Sequence, residues 1–182
     1  LYHTFLNAYK LRLEKNIYQP EKHYIAISHS IKKELMEHFN IPAQNISIIY
    51  HGVDSKYFSP VKESESSLDK RNQVRKELGI SENDRVLLHV GALNARKGIF
   101  QTFKILSHLK ASGVENIKYL AVGQGDQKLI QQLIEENDLA NEVILAPHSK
   151  DIRNYYWAAD VFFFPTFYEP FGLVILKAMA CG

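Results

Sequence analysis

The sequence predicts an α/β protein built on a parallel sheet with helices on both of its faces. Three observations carry that reading. Residues 86–180 hold four strand-then-helix units in about 95 residues. The connections between them are short, as parallel crossovers in one sheet require. The composition, 46% hydrophobic and 23% charged, is that of an ordinary globular protein, with no repeat and no low-complexity tract.

The elements follow in order. Residues 1–17 read as a helix, because Leu6, Tyr9, Leu13 and Ile17 recur at three- and four-residue spacing and Pro20 closes the run. Residues 23–28 read as a buried strand. Ser30 is the expected cap of a helix that runs to Phe39 and stops before Pro42. Residues 46–50 are a second strand, and His51-Gly52-Val53-Asp54 is a turn. The serine-rich run 61–69 is the clearest linker, followed by a short helix over 70–78 that ends at Gly79. Strands are expected at 86–90, 117–122, 142–145 and 161–164. Helices are expected at 98–110, 127–137, 150–159 and 172–180, with Ser149 as a cap of the third.

Composition excludes several classes. With 182 residues the chain has room for one domain or parts of two. A single cysteine, Cys181, excludes a disulfide framework and a cysteine-based zinc site. No apolar run approaches the roughly 18 residues that span a bilayer. The first 20 residues carry charges throughout, unlike a secretory leader, so a cytoplasmic location is expected. Tyr2, Phe5 and Tyr9 offer either helix packing or contact with a membrane or lipid. The net charge of +2 does not argue for nucleic acid, and none is expected as a partner. Its distribution is uneven: residues 51–110 carry +4 and residues 111–182 carry −4. A local basic zone suits a compact anion such as a diphosphate, or is simply a solvated face.

Ligands of open α/β sheets bind outside the carboxyl ends of the strands, so the four loops there are the candidate site. The first runs from Gly91 to Gly98. Arg96 and Lys97 stand just before a helix N-terminus, where free N–H groups and the dipole favour an anion. Arg96 can grip two phosphate oxygens and Lys97 adds a point charge. An exposed turn with two incidental cations is the alternative. Neither a Walker A loop nor a complete dinucleotide fingerprint is present. The second loop, Gly123-Gln124-Gly125-Asp126, allows close backbone approach or is a plain tight turn. The third carries Ala146 and Pro147, a possible floor for a flat base, with His148 as a surface or cap residue. The fourth, residues 165–173, is the most informative. Gly172 opens a helix whose first N–H groups, from Phe171, Gly172 and Leu173, face the cleft. Glu169 either accepts hydrogen bonds from substrate hydroxyls or stabilises that helix dipole.

Glu169-Pro170-Phe171-Gly172-Leu173-Val174 followed by Ala178-Met179-Ala180-Cys181-Gly182 resembles the signature of retaining nucleotide-sugar glycosyltransferases of the GT-B fold, family 4. His51-Gly52-Val53-Asp54 with Phe58 and Pro60 resembles the crossover between that family's two domains. Gly91 with Arg96-Lys97-Gly98 resembles its diphosphate loop, and Ala158-Ala159-Asp160 before the Val-Phe-Phe-Phe-Pro strand is also typical. Lipopolysaccharide-core glucosyltransferases are the nearest subfamily in character. The resemblance spans residues 22–182. It implies a truncated two-domain GT-B architecture: residues 1–53 end the amino-terminal acceptor domain, 54–80 are crossover and linker, and 81–182 are an incomplete Rossmann-like nucleotide-sugar domain.

It also implies roles. Arg96 and Lys97 stabilise the departing diphosphate and Glu169 holds the donor sugar. Gly91, Gly123, Ala146, Pro147, Pro170, Phe171, Gly172, Leu173, Val174 and Lys177 line the donor site. No metal or other cofactor is implied. The implied partners are a nucleotide-sugar donor and a glycan or glycolipid acceptor, with peripheral contact at the inner membrane face in the full-length protein. The missing initiator methionine and the Cys181-Gly182 end lead to the expectation of a fragment that does not catalyse transfer alone. A non-catalytic nucleotide or nucleotide-sugar binding module is the alternative reading, and an α/β domain without a ligand is a third.

Two positions depart from the family pattern. Ala92 stands where many members carry arginine. Lys177 stands where a second glutamate accepts hydrogen bonds from the ribose, and an ammonium donates but cannot accept. Loss of such a buried charge-assisted pair costs about 2–4 kcal/mol. Lys177→Glu is therefore expected to tighten nucleoside diphosphate binding about 30-fold or more in calorimetry; equal affinity of the two proteins would refute the assignment.

Overall fold

The computed structural model describes residues 13, 14, 16–61, 65–146, 149 and 151–182, without the side chains of 65–69. The chain forms two compact units, Leu1–Gly52 and Val53–Gly182. Most of the first expected helix, including Tyr2, Phe5 and Tyr9, lies outside the described residues. Of its end, residues 13, 14, 16 and 17 are helical, and the Tyr18 N–H donates to the Glu14 carbonyl at 2.9 Å.

The first unit is a strand–helix–strand motif. Strand β1 (Tyr24–Ala26) pairs in parallel with β2 (Ile46–Ile48), with Tyr24 opposite Ile46. Helix α1 (His29–Phe39) joins them and buries Leu35 against Ala26, Ile41 and Ile46. Its cap is Ser28, not Ser30 as expected from the sequence. Ser28 leaves β1 in extended geometry, so its Oγ can accept the Ile31 N–H at 3.2 Å.

The second unit opens with the segment 53–60, which packs against the helices that follow. Phe58 is buried, Trp157 Nε1 donates to the Ser59 carbonyl at 2.8 Å, and the Arg153 guanidinium stacks 3.8 Å over the Tyr57 ring. Helix α2 spans Glu65–Glu77. It starts five residues before the expected Lys70, inside the run read as linker, of which 62–64 lie outside the described residues. Serines do not forbid a helix, and Arg75 and Lys76 in its last turn match the dipole.

Four parallel strands follow: β3 (Arg85–Val90), β4 (Ile117–Val122), β5 (Val143–Leu145) and β6 (Val161–Phe162), in the spatial order β5-β4-β3-β6. The register sets Val90 opposite Val122, Leu88 opposite Phe162 and Ala121 opposite Leu145. Helices α3 (Ile99–Ala111) and α4 (Gln127–Glu136) cover one face, through Ile99, Phe103, Leu106 and Ile130 on Tyr119 and Ala121. Helices α2, α5 (Arg153–Ala158) and α6 (Leu173–Cys181) cover the other, on Val86, Leu88 and Leu120. Helix α5 begins later than expected. Ser149 does not cap it: its Oγ accepts the Asp151 N–H at 3.1 Å in a tight turn. The outer strand β6 leaves Val161 52% exposed.

Asp160 ties the second unit together. Its Oδ2 accepts the Val86 N–H at 2.8 Å and pairs with the buried Arg75 at 3.3 Å, while Oδ1 accepts from Arg71 at 2.9 Å. Arg75 also donates to the carbonyls of Ala158, Ser81 and Asp84. One carboxylate thus aligns β6 beside β3 and anchors α2 to both. Burial by itself would raise the Asp160 pKa, but the Val86 N–H and the two arginines hold it below 3.8. Its contribution is therefore full above about pH 3.8 and is lost as pH falls through the lower, folded-state value. Asp160→Asn leaves Arg75 buried without its counter-charge and is expected to cost about 3 kcal/mol at pH 7. In urea denaturation the gap to the parent should shrink at pH 3; a gap of constant size would show that the charge is not what matters.

Candidate active site

The site is built where the strands end. At the end of β3 the Gly91 N–H donates to the Val122 carbonyl at 2.9 Å, and the Leu93 N–H donates to the Gln124 carbonyl at 2.8 Å. The turn after β3 thus stays paired with the turn after β4. Such contact needs glycine. A Cβ on Gly123 would collide with the Gly91 carbonyl, and one on Gly125 would lie 2.6 Å from the Leu93 carbonyl oxygen. Gly98 has a left-handed φ of 78° and sits against the Pro165 carbonyl, leaving no room for a side chain. These glycines let three loops meet backbone to backbone.

Residues 95–97 form one 3₁₀ turn. Asn94 caps it, with Oδ1 accepting the Lys97 N–H at 3.1 Å, a role the sequence reading missed although an Asn before a polar turn is a cap signal. The turn points its two cations differently. Arg96 stays exposed, and its Nη1 donates to the Tyr168 carbonyl at 2.9 Å. Its own carbonyl accepts the Phe167 N–H at 2.9 Å, so the first and fourth loops are laced together. Lys97 is buried at 7% exposure, which is rare for lysine without a partner. That partner is Glu169, whose Oε2 accepts from Lys97 Nζ in a close ion pair. The same ammonium lies 4.6 Å from the centre of the Phe164 ring.

Glu169 has a second task. Its Oε1 accepts the Gly172 N–H at 3.2 Å, just before α6. The helix-supporting role read from the sequence is thus present in this side chain, while its other oxygen is taken by Lys97. Gly172 is the N-cap of α6, with φ 83° and no side-chain cap. In the first turn of that helix the N–H groups of Leu173 and Val174 lack intrahelical acceptors. Gly98, at the head of α3, likewise provides no side-chain cap. Two helix N-termini, an exposed guanidinium and an ammonium–carboxylate pair therefore converge, a setting suited to an anion beside a hydroxyl-bearing group.

The expected donor residues do not all fall here. The structure unites Gly91, Gly123, Arg96, Lys97, Glu169, Pro170, Phe171, Gly172, Leu173 and Val174 around the three loops. Ala146 ends β5, two strands away from β3, its N–H donating to the Ala121 carbonyl. Pro147 and His148 lie outside the described residues. Lys177 is one turn along α6, and its ammonium sits 5.0 Å from the centre of the Phe58 ring in the segment 53–60. Among the described residues there is no group of three or more His, Cys, Asp or Glu side chains arranged to hold a metal ion.

The family model for glycosyl transferases group 1 matches residues 70–182, which include all of these loops. The chain belongs to that family. A second model, glycosyltransferase family 4, matches residues 1–57. Among curated relatives of this chain, an uncharacterized glycosyltransferase of Methanocaldococcus jannaschii is 29% identical over 161 residues, covering 87% of this chain and 40% of that protein. The lipopolysaccharide glucosyltransferase WaaG of Escherichia coli is 27% identical, covering 82% of this chain and 39% of that protein. The chain thus spans about two-fifths of the length of these relatives. The fold is that of GT-B glycosyltransferases. The crystal structure of Anabaena HepE in complex with UDP-glucose superposes with a TM-score of 0.79 at 26% identity, covering 94% of this chain and 46% of that one.

The Lys97–Glu169 pair has a testable energetic signature. Their side chains are 9% and 22% exposed, so removing one charge strands the other. Lys97→Met alone and Glu169→Leu alone are each expected to cost about 3 kcal/mol, while the double variant costs under about 1 kcal/mol. Urea denaturation of the four proteins measures the coupling, and additive losses would refute it.

Proposed function

We propose that this chain is the donor-binding part of a glycosyltransferase that moves a sugar, with retention, from a nucleoside-diphosphate sugar to an acceptor hydroxyl in cell-surface glycan or lipopolysaccharide synthesis. The observation that carries the reading is the Lys97–Glu169 pair set between two helix starts, at Gly98 and Gly172, whose cap residues have no side chain. Without ligand, each charge satisfies the other. A donor replaces both halves at once: its diphosphate takes Lys97, and its sugar hydroxyls donate to Glu169. Arg96 turns from the Tyr168 carbonyl to the phosphates, and the Leu173 and Val174 N–H groups complete the cradle. The binding of UDP-glucose by HepE supports a nucleotide-sugar donor of this kind.

Reaction on one face then needs no protein nucleophile. The bond from the anomeric carbon to the phosphate oxygen breaks, and the acceptor oxygen bonds to that carbon from the same side. The acceptor proton passes to the departing diphosphate, whose added charge Arg96, Lys97 and the helix N-termini hold. In this reading no metal takes part. The place of action is the cytoplasm, with peripheral contact at the inner membrane face when the acceptor is a glycolipid. Among the described residues no helix is long and apolar enough to cross a membrane. Residues 1–182 by themselves bind donor without transferring it, given the share of the relatives' length that they span. One observation favours a second reading, a non-catalytic nucleotide-binding module: Lys177 offers a donor resting on Phe58 where the family pattern has an acceptor.

Calorimetry with UDP, GDP and ADP and their glucose conjugates tests the proposal. Arg96→Ala is expected to weaken binding of the preferred diphosphate about 10- to 100-fold. Glu169→Gln should spare the diphosphate but weaken its sugar conjugate by about tenfold, and EDTA should change neither. No binding of any of these ligands would overturn the proposal, and sugar transfer by a longer chain bearing residues 1–182 would exclude the non-catalytic reading.

A further inference from the structure

Beneath the site lies a polar side chain that neither packing nor the proposed chemistry accounts for. His89, next to last in β3, is fully buried, and neither ring nitrogen reaches a partner at full hydrogen-bond geometry, although the Ala92 backbone lies near enough to favour its protonated form. Buried polar groups are nearly always paired, and an unpaired one is costly, so a phenylalanine would serve the core better. The surroundings are aromatic: Tyr119 lies 6.0 Å away edge-on and Phe164 5.4 Å away, centroid to centroid. They offer the ring shape, not a partner.

The ring points to the anion-facing loop. Nε2 lies 3.8 Å from where a Cβ on Gly91 would stand, and Phe164 lies 3.6 Å from the same point. Phe164 in turn lies against the Lys97 ammonium. His89, Gly91, Phe164 and Lys97 are therefore one contiguous group at the end of β3. Burial holds the imidazole pKa down at about 4; the Ala92 backbone opposes this and the Lys97 charge adds to it. Near pH 7 the ring thus adds no third positive charge, and it keeps one N–H donor and one lone pair.

We propose that His89 is a positioning residue for the nucleoside diphosphate: from beneath Gly91 it hydrogen-bonds the Gly91–Ala92 backbone in the ligand-bound loop and so fixes the turn from which Arg96 and Lys97 project. The Ala92 backbone already lies close enough to favour the protonated ring, and binding completes the hydrogen bond that the free protein leaves short of full geometry. This rests on the diphosphate reading above. A role confined to stability predicts the opposite pattern, since filling the same space with a hydrocarbon ring would stabilise the protein and leave binding alone.

The test compares the full chain with His89→Phe and His89→Gln, using UDP calorimetry and urea unfolding. His89→Phe should bind UDP about threefold to tenfold more weakly, with an unfolding midpoint equal to or above the parent's. His89→Gln, which keeps a donor and an acceptor, should recover most of the affinity. Undiminished binding by His89→Phe, or a His89→Gln variant as weak as His89→Phe, overturns the proposal. If His89→Phe does not fold, imidazole nitrogen resonances of the parent decide. A UDP-dependent shift of the signals assigned to His89 supports the proposal, and unmoved signals refute it. Failure of the parent to bind UDP, GDP or ADP is a different result: it overturns the diphosphate reading and this proposal with it.

Discussion

At the carboxyl end of the sheet, three loops touch through their backbones, and everything the site can do follows from that contact. The Gly91 carbonyl lies against Gly123, the Leu93 carbonyl against Gly125 and the Pro165 carbonyl against Gly98. A methyl group at Gly123, Gly125 or Gly98 would push two loops apart. Held together, the first loop stays paired with the second and laced to the fourth, with the Arg96 carbonyl accepting from Phe167 and the Arg96 side chain donating to the Tyr168 carbonyl. Only then is Lys97 placed where Glu169 can take it. The electrostatics of the site is a consequence of sterics.

That ordering also explains the uneven charge along the chain. The basic excess of residues 51–110 meets the acidic excess of 111–182 in specific pairs. Arg71 and Arg75 hold Asp160, Lys97 holds Glu169, and Lys110 reaches Asp138 and Glu142. Part of the basic zone is therefore internal fastening, as in the fan of bonds from Arg75 at the end of α2. Arg96 is different, because it remains exposed and its bond is to a backbone carbonyl, whose loss costs little. A self-satisfied pair thus stands beside an exposed guanidinium that bonds a backbone carbonyl.

The strands and helices of the second unit were legible because their apolar runs are punctuated by Gly91, Gly123, Pro165 and Gly172. The four loops that form the site were therefore legible too, and so were Arg96, Lys97 and Glu169 within them. Other features were not. Ser28 rather than Ser30 caps α1 because β1 stops sooner than its hydrophobicity indicates. Helix α2 invades the serine-rich run because nothing in that run forbids helix. Asp160 read as part of a motif and proves to be a three-way anchor, since its partners Arg71, Arg75 and Val86 are more than seventy positions away in the chain.

What the residue order determined by itself is local: where the chain must turn, which stretches bury an apolar face, and which loops carry charge beside a helix start. These depend on neighbours within a few positions, through backbone sterics and side-chain periodicity. Tertiary structure alone decided the pairing of those charges and the fate of His89. Lys97 and Glu169 are 72 residues apart, and only the parallel order β5-β4-β3-β6 brings the ends of β3 and β6 side by side. His89 reads as one more residue of an apolar strand. It becomes a buried imidazole under the loop because register and sheet order set it there, and no local rule encodes which neighbours a strand receives.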